Sequence, residues 1–180
     1  MLTQTSETGL QVLAYLALRH SKEPIPPKAL AEVLDASPSY MAKITGALVK
    51  AGILHATRGA QGGVTLVSDP EQITLLEVIE ACQGKVLGDF CGGVAPLQMT
   101  CAYHQAMAAL HQAIMNTLKQ WTIADLAKRP APDQALRGNV DCKMGRVACL
   151  PHQVEQPDDT QRASQECGTR AAKGAALNSI

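Results

Sequence analysis

The chain has 180 residues, a formal net charge of zero and 46% hydrophobic residues, but only 3% aromatic ones. That length allows one modest domain, or a small domain with an extension for self-association, and a core resting on Leu, Ile, Val, Met and Ala suits a mostly helical fold. Neutrality excludes a broad basic field; no segment approaches the roughly 18 apolar residues that cross a bilayer, and the opening residues lack a basic-then-apolar leader pattern, which points to the cytoplasm.

Leu10, Leu13, Ala14, Ala17 and Leu18 recur at helical spacing and predict a first helix over 4–19. Pro26 and Pro27 suit the start of a short second helix over 28–34, whose apolar face is Leu30, Ala31 and Leu34. Asp35 and Ala36 make a tight connection. Ser37 then reads as the N-cap and Pro38 as the first position of a third helix, which runs to Lys50 and is stopped by Gly52. Two strand-like runs, 53–57 and 64–67, flank the glycine-rich stretch 58–63, as in a hairpin. Helix, helix, turn, helix, hairpin is the order of a winged helix-turn-helix, and Asp69-Pro70 closes it.

Thr74 caps a fourth helix over 75–81, and a glycine-rich irregular stretch follows over 83–99. A long helix is expected over 100–120, with Met107, Leu110, Ile114, Leu118 and Trp121 in one apolar stripe. A long striped helix outside a small head needs a partner, and a second copy of the chain is the simplest. The fold class is therefore mostly α, an N-terminal winged helix-turn-helix followed by a long dimerisation helix. The expected divisions are 1–70 for DNA binding, 71–128 for a sensor loop and dimerisation helices, and 129–180 for a largely flexible tail. Within that tail, 139–151 is the only stretch that looks moderately ordered.

In a helix-turn-helix the N-terminal part of the second helix meets base edges in the major groove. Ser37, Ser39, Tyr40 and Lys43 occupy that part, with Tyr40 also readable as packing and Lys43 as a solvated lysine. Arg58, beside Gly59 on a slim loop, is shaped for a narrow minor groove. Residues 1–70 hold six Lys/Arg against five Asp/Glu, so a few placed residues, doubled by dimerisation, must replace a broad field.

All six cysteines, Cys82, Cys91, Cys101, Cys142, Cys149 and Cys167, lie beyond residue 80. Without an export signal they read as free thiols or as metal, cluster or redox groups rather than disulfides. Cys82 falls late in the fourth helix and reads as core. Cys101 and His104 stand three apart at a helix start, so both can face one metal or cluster edge, and the helix N-terminus favours a thiolate. Cluster or metal binding, direct thiol redox sensing and no cofactor all remain open on these residues. Nucleophile-elbow, phosphate-loop and paired-carboxylate patterns are missing, so no enzyme is expected. A winged helix that engages protein instead of DNA is the rival reading.

Several pieces in order carry a family resemblance: T-x-x-x-G-L-x-V-L-x-Y-L-A over 5–17, I-P-x-x-x-L-A-x-x-L over 25–34, S-x-S-Y-M over 37–41, L-V-K-A-G-I-L over 48–54, R-G-A-Q-G-G over 58–63, D-P-x-x-I-T-L-L-E-V-I-E-A over 69–81 and T-I-A-D-L-A over 122–127. Through residue 128 the chain resembles the IscR/NsrR family of winged-helix bacterial transcriptional regulators, which includes iron–sulfur, nitric-oxide and cysteine-metabolism sensors. The resemblance implies a homodimer built on crossing long helices that reads palindromic double-stranded operator DNA. It also implies a site in which Cys91 matches the first cysteine of the cluster-binding relatives, Cys101 the last, His104 a ligand histidine, and Glu7 an acidic ligand from the first helix. No middle cysteine lies between Cys91 and Cys101. Two thiolates, an imidazole and a carboxylate make four ligands for a [2Fe-2S] cluster, with another iron–sulfur or a zinc site as alternatives.

Overall fold

The computed structural model describes residues 2–19, 22–59, 62–86, 99–129 and 142–148. Its central element is α1, Gln4–Leu18, capped by Thr3, whose hydroxyl oxygen accepts from the Ser6 N–H at 3.3 Å. Val12, Leu13 and Ala14 are fully buried because neighbours cover α1 on several sides. The second helix, α2 (Pro27–Val33), has Pro26 as its N-cap and Pro27 at its first position, where a missing N–H breaks no helical bond. Asp35 turns the chain with φ of 51°, a left-handed conformation that Asp tolerates better than most residues.

The third helix, α3 (Pro38–Lys50), starts at Ser37, whose Oγ accepts the Tyr40 N–H at 3.3 Å. Met41, Ile44 and Leu48 recur on its inner face and are fully buried. It ends on Gly52, at φ 76°, a conformation that costs glycine nothing and other residues strain. There the Gly52 N–H donates to Val49 and the Ile53 N–H to Leu48, each at 3.0 Å, which closes the last turn. The wing follows as β1 (Leu54–Thr57) and β2 (Gly63–Leu66), antiparallel with Leu54 opposite Leu66 and Thr57 opposite Gly63. Ile25 bonds both ways to Val64, at 3.1 and 2.9 Å, which ties the wing to the chain entering α2.

After a short 3-10 turn at Pro70–Gln72, α4 (Leu75–Gln83) begins with a capping box between Thr74 and Glu77. Gln83 at its other end accepts from the Thr3 N–H and the Ser6 hydroxyl, which fastens α4 to the start of α1. Between these helices a Cβ on Gly9 would stand 2.6 Å from the Cys82 sulfur, so the close approach needs glycine. The long helix α5 (Ala102–Gln120) has no buried residue. Its C-terminal end meets the head, where α6 (Ile123–Lys128) starts with a second capping box, Thr122 with Asp125. The Leu75 N–H donates to Trp121 and the Ile123 N–H to Ile73, both at 2.9 Å, so the starts of α4 and α6 are held together. Finally α7 (Lys143–Ala148), inside the moderately ordered-looking stretch of the expected flexible tail, packs against α1 and contributes Val147, 2% exposed, to the core.

Candidate nucleic-acid interface and cysteine site

With Met41, Ile44, Thr45 and Leu48 turned into the core, the outer face of α3 is set by helical period. Ser39, Ala42, Lys43, Gly46 and Lys50 lie on it and are exposed, as is Ser37 at the cap. The Ser37 and Ser39 hydroxyls lie 3.4 Å apart. The two serines can therefore offer donors and acceptors side by side where the helix also presents free backbone N–H groups, an arrangement suited to phosphate or base edges.

Tyr40 points elsewhere. Its ring packs on the core, and its hydroxyl is shielded from solvent without a hydrogen-bond partner. It forms one wall of a cleft of about 580 Å³ between α1, the α2–α3 turn and α7, together with Glu7, Asp35 and Val147. A buried hydroxyl without a partner costs about 1–3 kcal/mol, so Tyr40 holds its place through ring packing rather than through its polar tip.

Arg58 and Gly59 are exposed where β1 leaves the sheet, with Gly59 at φ 116°, a value only glycine adopts readily. The remaining tip residues, Ala60 and Gln61, lie outside the described residues. The charge balance of this surface differs from that of the first 70 residues taken together. From Ala36 to Ser68 there is no Asp or Glu, against Lys43, Lys50 and Arg58. All three cations are exposed, so the neutral chain concentrates positive charge on α3 and the wing. Lys50, Ala42 and Gly46 also belong to this face, although sequence reasoning did not single them out. The carboxylate-free window and the i, i+3, i+4, i+7 spacing from Ser39 were the available signals.

Cys101 is the N-cap of α5 and His104 lies in its first turn. The Cys101 sulfur and His104 Nδ1 are 2.8 Å apart. The His104 backbone N–H and then its ring hold the exposed Cys101 thiol below its ordinary pKa by hydrogen bonding to the sulfur. Cys82 is the opposite case: burial pushes its thiol up to about 11, as befits a core group. Cys142 is half-buried, and its sulfur accepts the Gly145 N–H at 3.2 Å in the turn that opens α7.

Cys101 and His104 are thus brought together, and their donor types suit iron or zinc. Glu7 is not beside them in the same chain, since it lines the cleft under α3. Among the described residues no group of three or more His, Cys, Asp or Glu is placed to hold a metal ion. Cys91, Cys149 and Cys167 lie outside the described residues. No helix among those described is long and apolar enough to cross a membrane.

Residues 2–129 match the Rrf2 family, described as an iron-dependent transcriptional regulator. The HTH-type transcriptional regulator NsrR of Shouchella clausii (strain KSM-K16) is 28% identical over 131 residues, covering 69% of this chain and 87% of that protein. Among solved structures, CymR (YrzC), the global cysteine regulator of B. subtilis, is 26% identical, with a TM-score of 0.60 over 71% of this chain and 96% of that one. T. potens IscR is also 26% identical, with a TM-score of 0.57 over 71% of this chain and 86% of that one. The order of elements, the cationic outer face of α3 and the family match lead to one conclusion: the chain belongs to the Rrf2 family and is a DNA-binding winged-helix transcriptional regulator, not an enzyme.

Proposed function

We propose that the protein acts as a homodimer on palindromic operator DNA, with Ser37, Ser39 and Lys43 in the major groove and Arg58 with Gly59 in the adjoining minor groove. The observation that carries this reading is the carboxylate-free run from Ala36 to Ser68, whose three cations are all exposed. Ser37 and Ser39 anchor the start of α3 on phosphate or base edges, and Lys43, one turn on, reaches guanine acceptors or the backbone. Tyr40 acts from behind, its ring fixing the angle at which α3 leaves the head. Half-buried Met107 and Ile114 and exposed Leu110 give α5 the apolar stripe that pairs with the same stripe of a second copy, while Leu118, at the end of the stripe, packs on the chain's own core. Replacing Lys43 by alanine should weaken binding by roughly 1–3 kcal/mol for each base that the lysine reads. Unchanged affinity and unchanged sequence preference would count against the major-groove assignment.

Regulation is assigned to the N-terminus of α5. Cys91, Cys101 and His104, with a Glu7 supplied by a second copy of the chain, would hold a [2Fe-2S] cluster, in line with the iron-dependent family description and the IscR relative. Such a cluster supplies a centre whose charge and ligand bonds change with oxidation. Cys101 and His104 stand at the N-terminal end of α5, whereas its far end is hydrogen-bonded to α4, which packs on α1 and α3. A change that pulls on Cys101 therefore tilts a lever rooted in the DNA-binding head. It alters DNA affinity only if the two tilts differ in free energy on and off the operator.

A second reading, direct oxidation of the Cys101 thiol, is favoured by the exposed sulfur and by the His104 hydrogen bonds that hold its pKa below the ordinary value. Purification without oxygen, followed by iron, sulfide and zinc analysis, separates the two. Stoichiometric iron and sulfide that disappear in Cys101→Ser support the cluster. A metal-free protein whose DNA affinity changes with peroxide supports the thiol.

A further inference from the structure

Gly46 sits in the middle of α3, the worst place for a glycine on helix propensity alone. Other glycines of the chain have internal reasons: Gly52 and Gly59 adopt positive φ, and Gly9 makes room for the Cys82 sulfur. Gly46 has neither. Its backbone is ordinary helix, it is exposed, and among the described residues a Cβ built on it meets nothing within 4 Å. The described residues give no reason for the missing side chain, so we look for one in what this exposed face binds.

The neighbours indicate what that is. Gly46 shares its face with Ser39 and Lys43 on one side and Lys50 on the other, all exposed. It follows Ser39 by two helical turns, about 10 Å along the axis, which is close to the roughly 12 Å width of the major groove. A helix whose start reaches the base edges at Ser39 therefore meets the sugar–phosphate wall near Gly46, between two lysines that would hold phosphates there. A methyl group at this point would hold the duplex off by roughly 1.5 Å, the length of a carbon–carbon bond.

We propose that Gly46 is the close-approach point of α3, where bare helix backbone packs against the sugar–phosphate wall of the major groove. This inference rests on the reading of α3 as the recognition helix. It makes Gly46 a positioning residue that sets how deep Ser39 and Lys43 reach.

The test compares the parent with Gly46→Ala and Gly46→Gln on two duplexes, one enriched by the parent from a randomised library and one with that sequence scrambled. Melting is measured alongside. Gly46→Ala should raise the melting temperature by about 2–4 °C, because alanine is the better helix former and nothing crowds it. The same variant should bind about tenfold or more weakly, the scale of one disturbed interaction in each half-site. Gly46→Gln should bind more weakly still, and both effects should appear on both duplexes. Equal affinity of parent and Gly46→Ala would overturn the proposal, as would a fall in melting temperature, which would reveal an internal role. A loss confined to the enriched duplex would also overturn it, by moving Gly46 to a base edge. If the parent enriches no duplex at all, the recognition-helix reading itself fails, which is a different result from any of these.

Discussion

Replacing Arg58 by alanine removes one cation per chain, two per dimer, from an exposed wing position. Each phosphate neutralised contributes about 0.9 to the slope of log affinity against log salt, so the slope should become shallower by about 1.8. Between about 1 M salt, where this contribution vanishes, and a physiological value near 0.15 M, that difference corresponds to a loss of about 30-fold. An arginine placed in a narrow minor groove adds a shape-dependent part, so the loss should be greater on duplexes whose flanks are A·T-rich. Titrating a fluorescent duplex by anisotropy across a salt series measures both quantities. Lys119→Ala is the control, since Lys119 is equally exposed but lies near the end of α5. If Arg58→Ala keeps the parent slope, as Lys119→Ala should, the wing does not touch phosphate and the minor-groove assignment is wrong.

Leu110, half exposed on α5, should be buried by a second copy, so Leu110→Glu should dissociate the dimer. Removing two buried leucines costs about 3–6 kcal/mol, and sedimentation should then report single chains of 19.0 kDa; a parent that is already single-chain would refute the pairing. In the cofactor-free protein, Cys101 should react with iodoacetamide with a midpoint below the ordinary thiol value of 9.0, and His104→Ala should move that midpoint up. Cys82, whose pKa is about 11, should stay unmodified through the same range, and equal titration of the two thiols would contradict the hydrogen-bonded pair. Gly9→Ala should destabilise by about 1–3 kcal/mol in urea melts, since its Cβ meets the Cys82 sulfur, and Cys82→Ala in the same chain should relieve much of that. These two helical glycines thus give opposite signs, Gly9→Ala lowering stability and Gly46→Ala raising it.

Signals that act within a few residues were legible in the sequence. Ser37-Pro38, Pro26-Pro27, Gly52 and Thr74 each mark a helix end through a local bond or a local φ, and the elements begin and end within a residue or two of those marks. The wing was legible for the same reason, because its glycines and its flanking apolar runs are neighbours. What could not be read depends on which distant surfaces meet. The bridge between Thr74 and Thr122 joins residues far apart in the chain, and no local rule links them. Val147 enters the core from a stretch whose weak periodicity gives little sign of a packed helix. Tyr40 looks like a polar group at a helix start, but the cleft beside α1 turns its hydroxyl inward. Cys101 and His104 were legible as a pair because one helical turn joins them, whereas the position of Glu7 under α3 follows from how α1 packs.

Hydroxyl-radical footprinting of the parent on its library-enriched duplex tests the central claim most directly. A dimer reading a palindrome through α3 and the wing predicts two protected half-sites on one face of the duplex, their centres about 34–36 Å apart or a multiple of that, each flanked by minor-groove protection where Arg58 would lie. A single protected patch without two-fold symmetry, or protection that never extends into the minor groove, would contradict it.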